Sequence, residues 1–161
     1  SITKKIRVST IEIYTDGAAK GNPGPGGYGV VLRSGKHEKE LSNGFFFTTN
    51  NRMELLAVIV ALESLKRKRS QVSVYSDSKY VVDAINKKWV DKWKKRLWLK
   101  VKNTDLWKRL LIILNEHDVT FIWIKGHNNH PENERCDQLA VEASHSPTNE
   151  DKGYVQNNTL F

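Results

Sequence analysis

The sequence predicts an α/β protein built as a mixed sheet of about five strands flanked by helices. Three observations support this fold class. Short runs rich in β-branched residues are typical of strands, longer runs with apolar residues every three or four positions are typical of helices, and the elements follow the order β-β-β-α-β-α-α-β-α. The length of 161 residues is that of one domain with a substantial core.

Each element is predicted from its local pattern. Strands alternate apolar and polar residues, and helices follow capping signals such as the one at residues 48–51. Residues 21–27, rich in glycine and proline, predict a rigid connector that is neither helix nor regular strand. Residues 146–161 predict a loosely attached tail after a domain of residues 1–145. The predicted strands are residues 6–15, 28–33, 40–47, 71–76 and 119–124, and the predicted helices are residues 53–67, 78–86, 104–117 and a last helix that begins at Pro131.

Composition excludes several classes of protein. Hydrophobic residues make up 39% of the chain and are spread throughout, which is typical of a globular protein rather than a disordered one. No apolar run approaches membrane-spanning length and the first residues lack a signal-peptide core, so we expect a soluble, cytoplasmic protein without membrane association. Cys136 is the only cysteine, which excludes an internal disulfide and a cysteine-based metal site.

The positive charge of the chain is concentrated in one segment. The formal net charge is +8 at pH 7. Residues 87–102 contain eight basic residues and one acidic residue, whereas the rest of the chain contains 18 basic and 17 acidic residues. A local excess of this kind indicates a polyanionic partner.

Four acidic residues stand at positions that suit chemistry, although each also has a plainer explanation. Asp16 and Asp77 each end a β-rich run, where a carboxylate is either a metal ligand or part of a turn. Glu54 lies in the first turn of a predicted helix, where it is either solvated or stabilises the positive helix end. Asp137 lies on the last helix. If the two strands are adjacent and parallel, Asp16 and Asp77 emerge at the same sheet edge, where open α/β sheets bind their ligands.

Several segments, taken together, resemble the bacterial type 1 ribonuclease H family. They run in order along residues 11–143, nearly the whole chain, and each would be a weak signal alone. The segments are YTDG at 14–17, GNPGPGGYG at 21–29, TTNNRMEL at 48–55, SDS at 76–78, WKKR at 93–96, KGH at 125–127 and HPENERCD at 130–137.

The resemblance implies both a fold and an activity. The fold is the ribonuclease H-like fold, with sheet order 3-2-1-4-5 and only the first three strands antiparallel. The activity is that of an endoribonuclease that hydrolyses the RNA strand of RNA·DNA hybrids and leaves 5′-phosphate and 3′-hydroxyl ends. The expected partner is therefore an RNA·DNA hybrid, and the family is typically monomeric.

The resemblance also assigns the four acids to a catalytic set that holds two Mg²⁺ ions, with Mn²⁺ as an alternative metal. Asp16 would bridge both ions. Glu54 and Asp77 would hold the ion nearer the new 3′ end, and Asp137 the ion near the nucleophile. Carboxylates suit this task because Mg²⁺ prefers oxygen ligands and accepts substrate phosphate oxygens beside them.

Two further residues match functional positions near these acids. His127 matches the family's loop histidine, which shuttles protons and assists product release, and a histidine titrates near neutral pH. Without the match, a solvated loop histidine would be the plainer explanation. Glu134 matches a secondary acid near the second metal ion.

The resemblance implies a set of substrate contacts as well. Asn22, Asn50 and Asn51 match positions that contact 2′-hydroxyls of the RNA strand, and Thr49 matches a phosphate contact on the DNA strand. Lys79 stands where the family usually has glutamine, so it can reach a phosphate but cannot accept a hydrogen bond.

Residues 87–102 match the basic protrusion of the family. Trp89 and Trp93 are four positions apart and could share a helix face, either against sugars or packed inside the protein. Leu97 stands where glycine is common, so we expect the outer loop of the protrusion to differ in shape. The expected contacts with the DNA-strand backbone are Lys94, Lys95 and Arg96.

Three other functions are alternatives to a hybrid-cleaving enzyme. A DNA transposase or integrase of the wider superfamily is disfavoured by the complete acid set and the basic protrusion. A non-catalytic hybrid-binding module would be expected to lack at least one of the four acids. The sequence alone does not separate a cellular enzyme from the ribonuclease H domain of a reverse transcriptase.

Overall fold

The computed structural model describes residues 10–154, which form a five-stranded mixed sheet flanked by helices. The strands are β1 (Thr10–Ala19), β2 (Gly24–Ser34), β3 (His37–Thr48), β4 (Gln71–Ser76) and β5 (Asp118–Trp123). The helices are α1 (Asn50–Glu63), α2 (Lys79–Asn86), α3 (Trp89–Lys95), α4 (Thr104–Leu114) and α5 (Pro131–His145). The strands lie in the order β3-β2-β1-β4-β5, and only the pairs among the first three strands are antiparallel, which confirms the predicted topology.

The observed elements differ from the predicted ones in extent. β1 continues past Asp16 to Ala19, because residues 16–19 stay paired with residues 26–29 of β2. β2 begins at Gly24, so much of the predicted connector is strand. The basic segment contains a short helix, α3, that the predicted order did not include. Residues 6–9 of the first predicted strand lie outside the described residues.

The predicted helices are confirmed with shifted ends. α1 begins at Asn50, earlier than predicted, because the Thr49 side chain caps it and accepts a hydrogen bond from the Arg52 backbone N–H at 3.2 Å. It ends at Glu63, and α4 ends at Leu114, each a few residues before its predicted end. Helix ends depend on capping contacts that a periodic pattern does not specify.

Glycines of β2 explain how α5 reaches the sheet. A Cβ atom on Gly27 would lie 2.6 Å from the carbonyl oxygen of Ala140, and one on Gly29 would come still closer to the carbonyl of Cys136. The missing side chains let the α5 backbone lie directly against β2 and β1. This packing brings Asp137 of α5 to the sheet, so the glycine-rich stretch is a docking surface for a helix.

The core lies mainly on the other face of the sheet, under α1, α2 and α4. A smaller cluster beneath α5 joins Tyr14 and Val31 to Cys136 and Leu139. None of the helices within residues 10–154 is long and apolar enough to cross a membrane. Fully buried residues of the larger core include Ile13, Val30, Met53, Ile59, Val74, Trp107 and Leu110.

The segment that follows α5 makes specific contacts with the sheet and with α1. The backbone N–H of Phe46 donates to the carbonyl oxygen of Asn149 at 2.9 Å, and Asp151 is buried against Arg52. The sequence predicted a loosely attached tail over residues 146–161, whereas residues 146–154 are held by these contacts. Residues 155–161 lie outside the described part of the chain, and a domain boundary at residue 145 stays a prediction.

Candidate active site

Two acidic side chains emerge where the two central strands separate. The parallel pairing of β1 with β4 ends at Thr15 and Ser76, and Asp16 and Asp77 are the residues that follow this last pair. Asp16 still pairs with Gly29 of β2, which holds its backbone rigidly. Asp16 and Asp77 therefore lie at the same edge of the sheet, as expected from the sequence.

The third acid reaches this edge because α1 lies unusually close to β1. A Cβ atom on Gly17 would lie 2.5 Å from the backbone nitrogen of Glu54, so only glycine permits this approach. Glu54 is in the second turn of α1, and its carboxylate lies beside those of Asp16 and Asp77. The sequence analysis assigned Gly17 no role beyond its place in the YTDG segment, since close contact between elements far apart in sequence leaves no local signal.

The carboxylates of Asp16, Glu54 and Asp77 form one cluster. A ligand oxygen from each lies within 4.8 Å of the others. Asp16 is 6% exposed and Glu54 is 9% exposed. Asp137 lines the same open cavity, which has a volume of about 370 Å³, so all four sequence-predicted acids come together. The other lining residues include Asn50, Asn51, Ser78 and His127.

Burial and the crowding of negative charge make the carboxyl groups of Asp16, Glu54 and Asp77 hard to ionise. Burial and the neighbouring Asp77 raise the pKa of Asp16 to about 7. Burial, followed by the charges of Asp16 and Asp77, raises the pKa of Glu54 well above its usual value, and burial also raises the pKa of Asp77. The buried Oε2 of Glu54 has no hydrogen-bond partner among the described residues. Desolvated carboxylates with an unsatisfied oxygen fit a divalent cation. The cation offsets the repulsion between the carboxylates and accepts a lone pair from the unsatisfied oxygen.

His127 and Glu134 occupy different positions relative to this cavity. His127 is an exposed loop residue with a left-handed backbone (φ 56°), and it lines the cavity. Its charge counteracts the raised pKa of Asp77, whose main cause is burial. Glu134 is exposed in the first turn of α5 and, within residues 10–154, does not line the cavity.

The candidate substrate-binding residues surround the start of α1. The backbone N–H of Asn50 donates to Oδ1 of Asn22 at 3.0 Å, and Oδ1 of Asn50 accepts a hydrogen bond from the Ala19 backbone. A groove of about 570 Å³ lies beside these residues. It is lined by Asn22, Thr49, Asn51, Arg52, Val101, Lys102, Asn103, Thr104 and Tyr154. Asn103, Thr104 and Tyr154 were not singled out from the sequence, because only the fold brings them to α1.

The basic segment forms α3 and the turns that follow it. Trp93 is partly buried and packs against the core, with its ring centroid 5.2 Å from that of Trp107, which agrees with the packing alternative left open by the sequence. Trp89 is 37% exposed. Leu97 is 87% exposed and has a positive φ of 55°, so the turn after α3 differs from one built on glycine by presenting an apolar side chain. The side chains of Lys94, Lys95 and Arg96 are all exposed.

Comparison with known proteins assigns the family. The family model described as RNase H matches residues 8–145, which is most of the chain. The chain belongs to the ribonuclease H family. Members of this family are nucleases of the hydrolase class, and hydrolysis of the RNA strand of RNA·DNA hybrids is the activity of this chain.

Ribonuclease H relatives match the chain over nearly its whole length. The chain is 56% identical over 151 residues to Ribonuclease H of Proteus mirabilis, which covers 91% of this chain and 94% of that protein. It is 59% identical over 149 residues to Ribonuclease H of Desulforamulus reducens, covering 89% of this chain and 93% of that protein.

Solved structures of ribonucleases H share the fold. LC9-RNase H1, a type 1 RNase H with the type 2 active-site motif, superimposes with a TM-score of 0.80 at 28% identity, covering 96% of this chain and 83% of its own. LC11-RNase H1, solved in complex with an RNA/DNA hybrid, superimposes with a TM-score of 0.65 at 31% identity, covering 84% of this chain and 96% of that chain. The protease-reverse transcriptase of prototype foamy virus superimposes with a TM-score of 0.75 at 26% identity, covering 86% of this chain and 21% of that chain. The reverse-transcriptase alternative is not favoured, because the ribonuclease H relatives match at 56% and 59% identity over nearly their whole length.

Proposed function

We propose that the chain hydrolyses the RNA strand by means of two divalent metal ions held by Asp16, Glu54, Asp77 and Asp137, leaving 5′-phosphate and 3′-hydroxyl ends. The observation that supports this is the convergence of four carboxylates in one cavity, two of them buried. Among the ion pairs of residues 10–154, none involves any of these acids. Their charge is thus available for cations from solution.

Each acid would hold metal in the role that its position suits. Asp16 is central, because its carboxylate lies beside those of Glu54 and Asp77 and its pKa also responds to Asp137. Two bound divalent ions supply activation of the attacking water and stabilisation of the leaving 3′ oxygen. Mg²⁺ is the proposed metal, because carboxylate oxygens are its preferred protein ligands and it keeps ligand positions for phosphate and water.

Neighbouring residues would handle protons and substrate. His127 lines the cavity, where its imidazole would shuttle protons and assist product release. Asn22, Asn50 and Asn51 would contact 2′-hydroxyls, which distinguish RNA from DNA. Thr49, which lines the groove of about 570 Å³, would contact a DNA-strand phosphate, and Glu134 would act only indirectly, from outside the cavity.

The basic segment would bind the DNA strand away from the metal site. Its exposed cations would contact backbone phosphates without reading sequence, since phosphate contacts position a nucleic acid rather than specify it. Trp89 is exposed enough to contact sugars, whereas Trp93 would support the helix from inside. The proposed phosphate ligands are Lys94, Lys95 and Arg96. We also propose that the chain acts as a monomer, since all four acids come from one chain. Its proposed location is the cytoplasm.

The deciding experiment is cleavage of a labelled RNA·DNA hybrid beside matched RNA and DNA duplexes, with Mg²⁺ and with a chelator. We expect only the hybrid to be cut, only in its RNA strand, and only with metal. Asp16→Asn should abolish cleavage while the protein stays folded by circular dichroism. Asp118→Asn, an exposed aspartate at the opposite end of β5, is the matched control and should cleave normally. Near-normal turnover by Asp16→Asn would exclude the metal assignment.

A further inference from the structure

Lys79 and Trp123 form a pair beside the acidic cavity, next to its lining residues Asp77 and Ser78. Lys79 is the first residue of α2, two positions after Asp77, and Trp123 is the last residue of β5. The Nζ atom of Lys79 lies over the Trp123 ring, 5.0 Å from its centroid. Both side chains are exposed, and Trp123 retains 43% of its accessible surface. An ammonium in this position is attracted to the negative face of the indole.

The Trp123 indole is also tied to the backbone of an active-site acid. Its Nε1–H donates to the carbonyl oxygen of Asp77 at 3.2 Å. Trp123 pairs in register with Ser76 at the carboxyl ends of β5 and β4. One ring therefore contacts the residue that carries a candidate metal ligand and also the cation beside it, which fixes the position of that cation relative to the cavity.

The charge of Lys79 is available for an anion. Among the ion pairs of the described residues, none includes Lys79. A lysine ammonium offers three donors and no acceptor, so it recognises negative charge rather than a donor–acceptor pattern on a base edge. The strand that enters the acidic cavity carries one phosphate per nucleotide, which is the anion that this site would meet.

We propose that Trp123 is a positioning residue that holds Lys79 at the cavity edge, where the Lys79 ammonium binds a backbone phosphate of the nucleic acid strand being cleaved. This inference rests on the proposed function. Trp123 thereby has a role in substrate binding. The contact made by Lys79 is electrostatic, whereas a glutamine side chain at this position would recognise hydrogen-bond donors and acceptors. Binding at this position is consequently independent of base identity and dependent on salt.

The test is the salt dependence of kcat/KM for hybrid cleavage in four single variants and one double variant. Lys79→Gln should raise KM several-fold, leave kcat near wild type, and reduce the slope of log(kcat/KM) against log salt by about one phosphate contact. Trp123→Leu should act in the same direction, and its effect should largely disappear in the Lys79→Gln background. Trp123→Phe keeps an aromatic face and should keep most of the wild-type slope. Lys36→Gln removes one positive charge from the turn between β2 and β3, far along the strands from the acids, and should leave the slope unchanged.

The outcomes separate this inference from the function on which it rests. If the wild-type chain does not cleave hybrids, the proposed function fails. If it does, a Lys79→Gln slope equal to that of wild type or of Lys36→Gln overturns the phosphate contact. Additive effects of Trp123→Leu and Lys79→Gln overturn the positioning role. If the role of Trp123 is purely structural, Trp123→Leu would lower the unfolding midpoint and kcat without changing the salt slope. If Trp123→Leu does not fold, the slopes of Lys79→Gln and Trp123→Phe decide between the two roles.

Discussion

Arg52 and Asp151 lie 99 positions apart and form a bidentate, buried ion pair. Nε and Nη2 of Arg52 donate to Oδ2 and Oδ1 of Asp151 at 2.7 and 3.0 Å. The same guanidinium donates to both carboxylate oxygens of Asp105, at the start of α4, at 2.9 and 2.7 Å. Arg52 is 1% exposed. One side chain of α1 thereby fastens the segment after α5 and the start of α4 beside the groove at Thr49.

Loss of this ion pair should destabilise the fold. Asp151→Asn leaves the buried Arg52 with only one carboxylate partner, and breaking a buried pair costs about 3–5 kcal/mol. We expect a loss of about 3 kcal/mol in the free energy of unfolding, because Asp105 remains, with an unchanged urea m-value. Glu63→Gln is the control, since its pair with Arg109 is exposed and should contribute less than about 1 kcal/mol. Equal effects of the two changes would contradict a structural role for residue 151.

Enlarging Gly17 should separate the acids without removing any of them. The Cβ of Gly17→Ala would press on the backbone of Glu54, so α1 must move away from β1. A displacement of catalytic groups by about 1 Å costs on the order of a hundredfold in rate, so we expect kcat to fall about 10–100-fold. Steady-state cleavage of a hybrid, with circular dichroism as the check on folding, measures this effect.

Gly35 provides the control for the glycine substitution. It lies in the turn between β2 and β3 with a positive φ of 60°, and a Cβ atom added there would meet no other atom within 4 Å. Gly35→Asn should retain wild-type activity, because asparagine tolerates this backbone conformation. Full activity of Gly17→Ala would show that the approach of α1 is not needed for catalysis.

Metal binding should control the acid side of the pH profile. The pKa of Asp16 is raised to about 7 in the metal-free protein, so activity should fall as the pH drops below 7 and protons compete with the metal for this carboxylate. A tenfold rise in Mg²⁺ should move this acid limb to lower pH, since the ion binds the ionised carboxylates. The measurement is kcat/KM across the pH range at two Mg²⁺ concentrations, and a limb that stays in place would argue against competition at these acids.

The same acids should destabilise the metal-free protein at neutral pH. The pKa of Asp16 rises from 3.8 to about 7 on folding, so the folded state binds a proton that the unfolded state has released between these values. Stability from this group is therefore present at low pH and is lost as the pH rises to about 7. Asp16→Asn should raise the free energy of unfolding above pH 7 by up to about 4 kcal/mol, at about 1.4 kcal/mol per pKa unit. Urea unfolding in chelator should show a smaller gain at pH 5, and no gain at either pH would contradict the repulsion.

The basic segment should give the enzyme much of its salt sensitivity. Replacing Lys94, Lys95 and Arg96 together with glutamine should flatten the dependence of hybrid affinity on salt, by about 0.7–0.9 in slope for each phosphate that is no longer neutralised. The triplet at residues 66–68 has the same composition and is exposed, and it lies before β4, at the sheet end opposite the acids. Neutralising it removes the same charge and should leave most of the slope intact. Equal effects of both triplets would indicate a general charge effect.

The sequence by itself predicted the fold class and the order of the strands. It also singled out the four acids that the structure brings together. Local patterns identified most strands and helices, and the matching segments supplied the topology. Strand ends, helix ends and turns were less well predicted: β1 passes through Asp16 because pairing with Gly29 continues, and residues 24–27 are strand because β3 lies beside them. Both outcomes depend on a neighbouring strand that the local pattern does not contain.

Only the tertiary structure decided how close the acids lie and what supports them. Gly17 lets Glu54 reach Asp16, and Gly27 and Gly29 let α5 bring Asp137 to the sheet, through contacts across long stretches of sequence. The pairing of Lys79 with Trp123 and the burial of Asp151 against Arg52 arise in the same way. Residue type and spacing specify which groups can perform the chemistry. Their separation and burial, which set the pKa values and the affinity for metal, depend on packing between elements that no local pattern encodes.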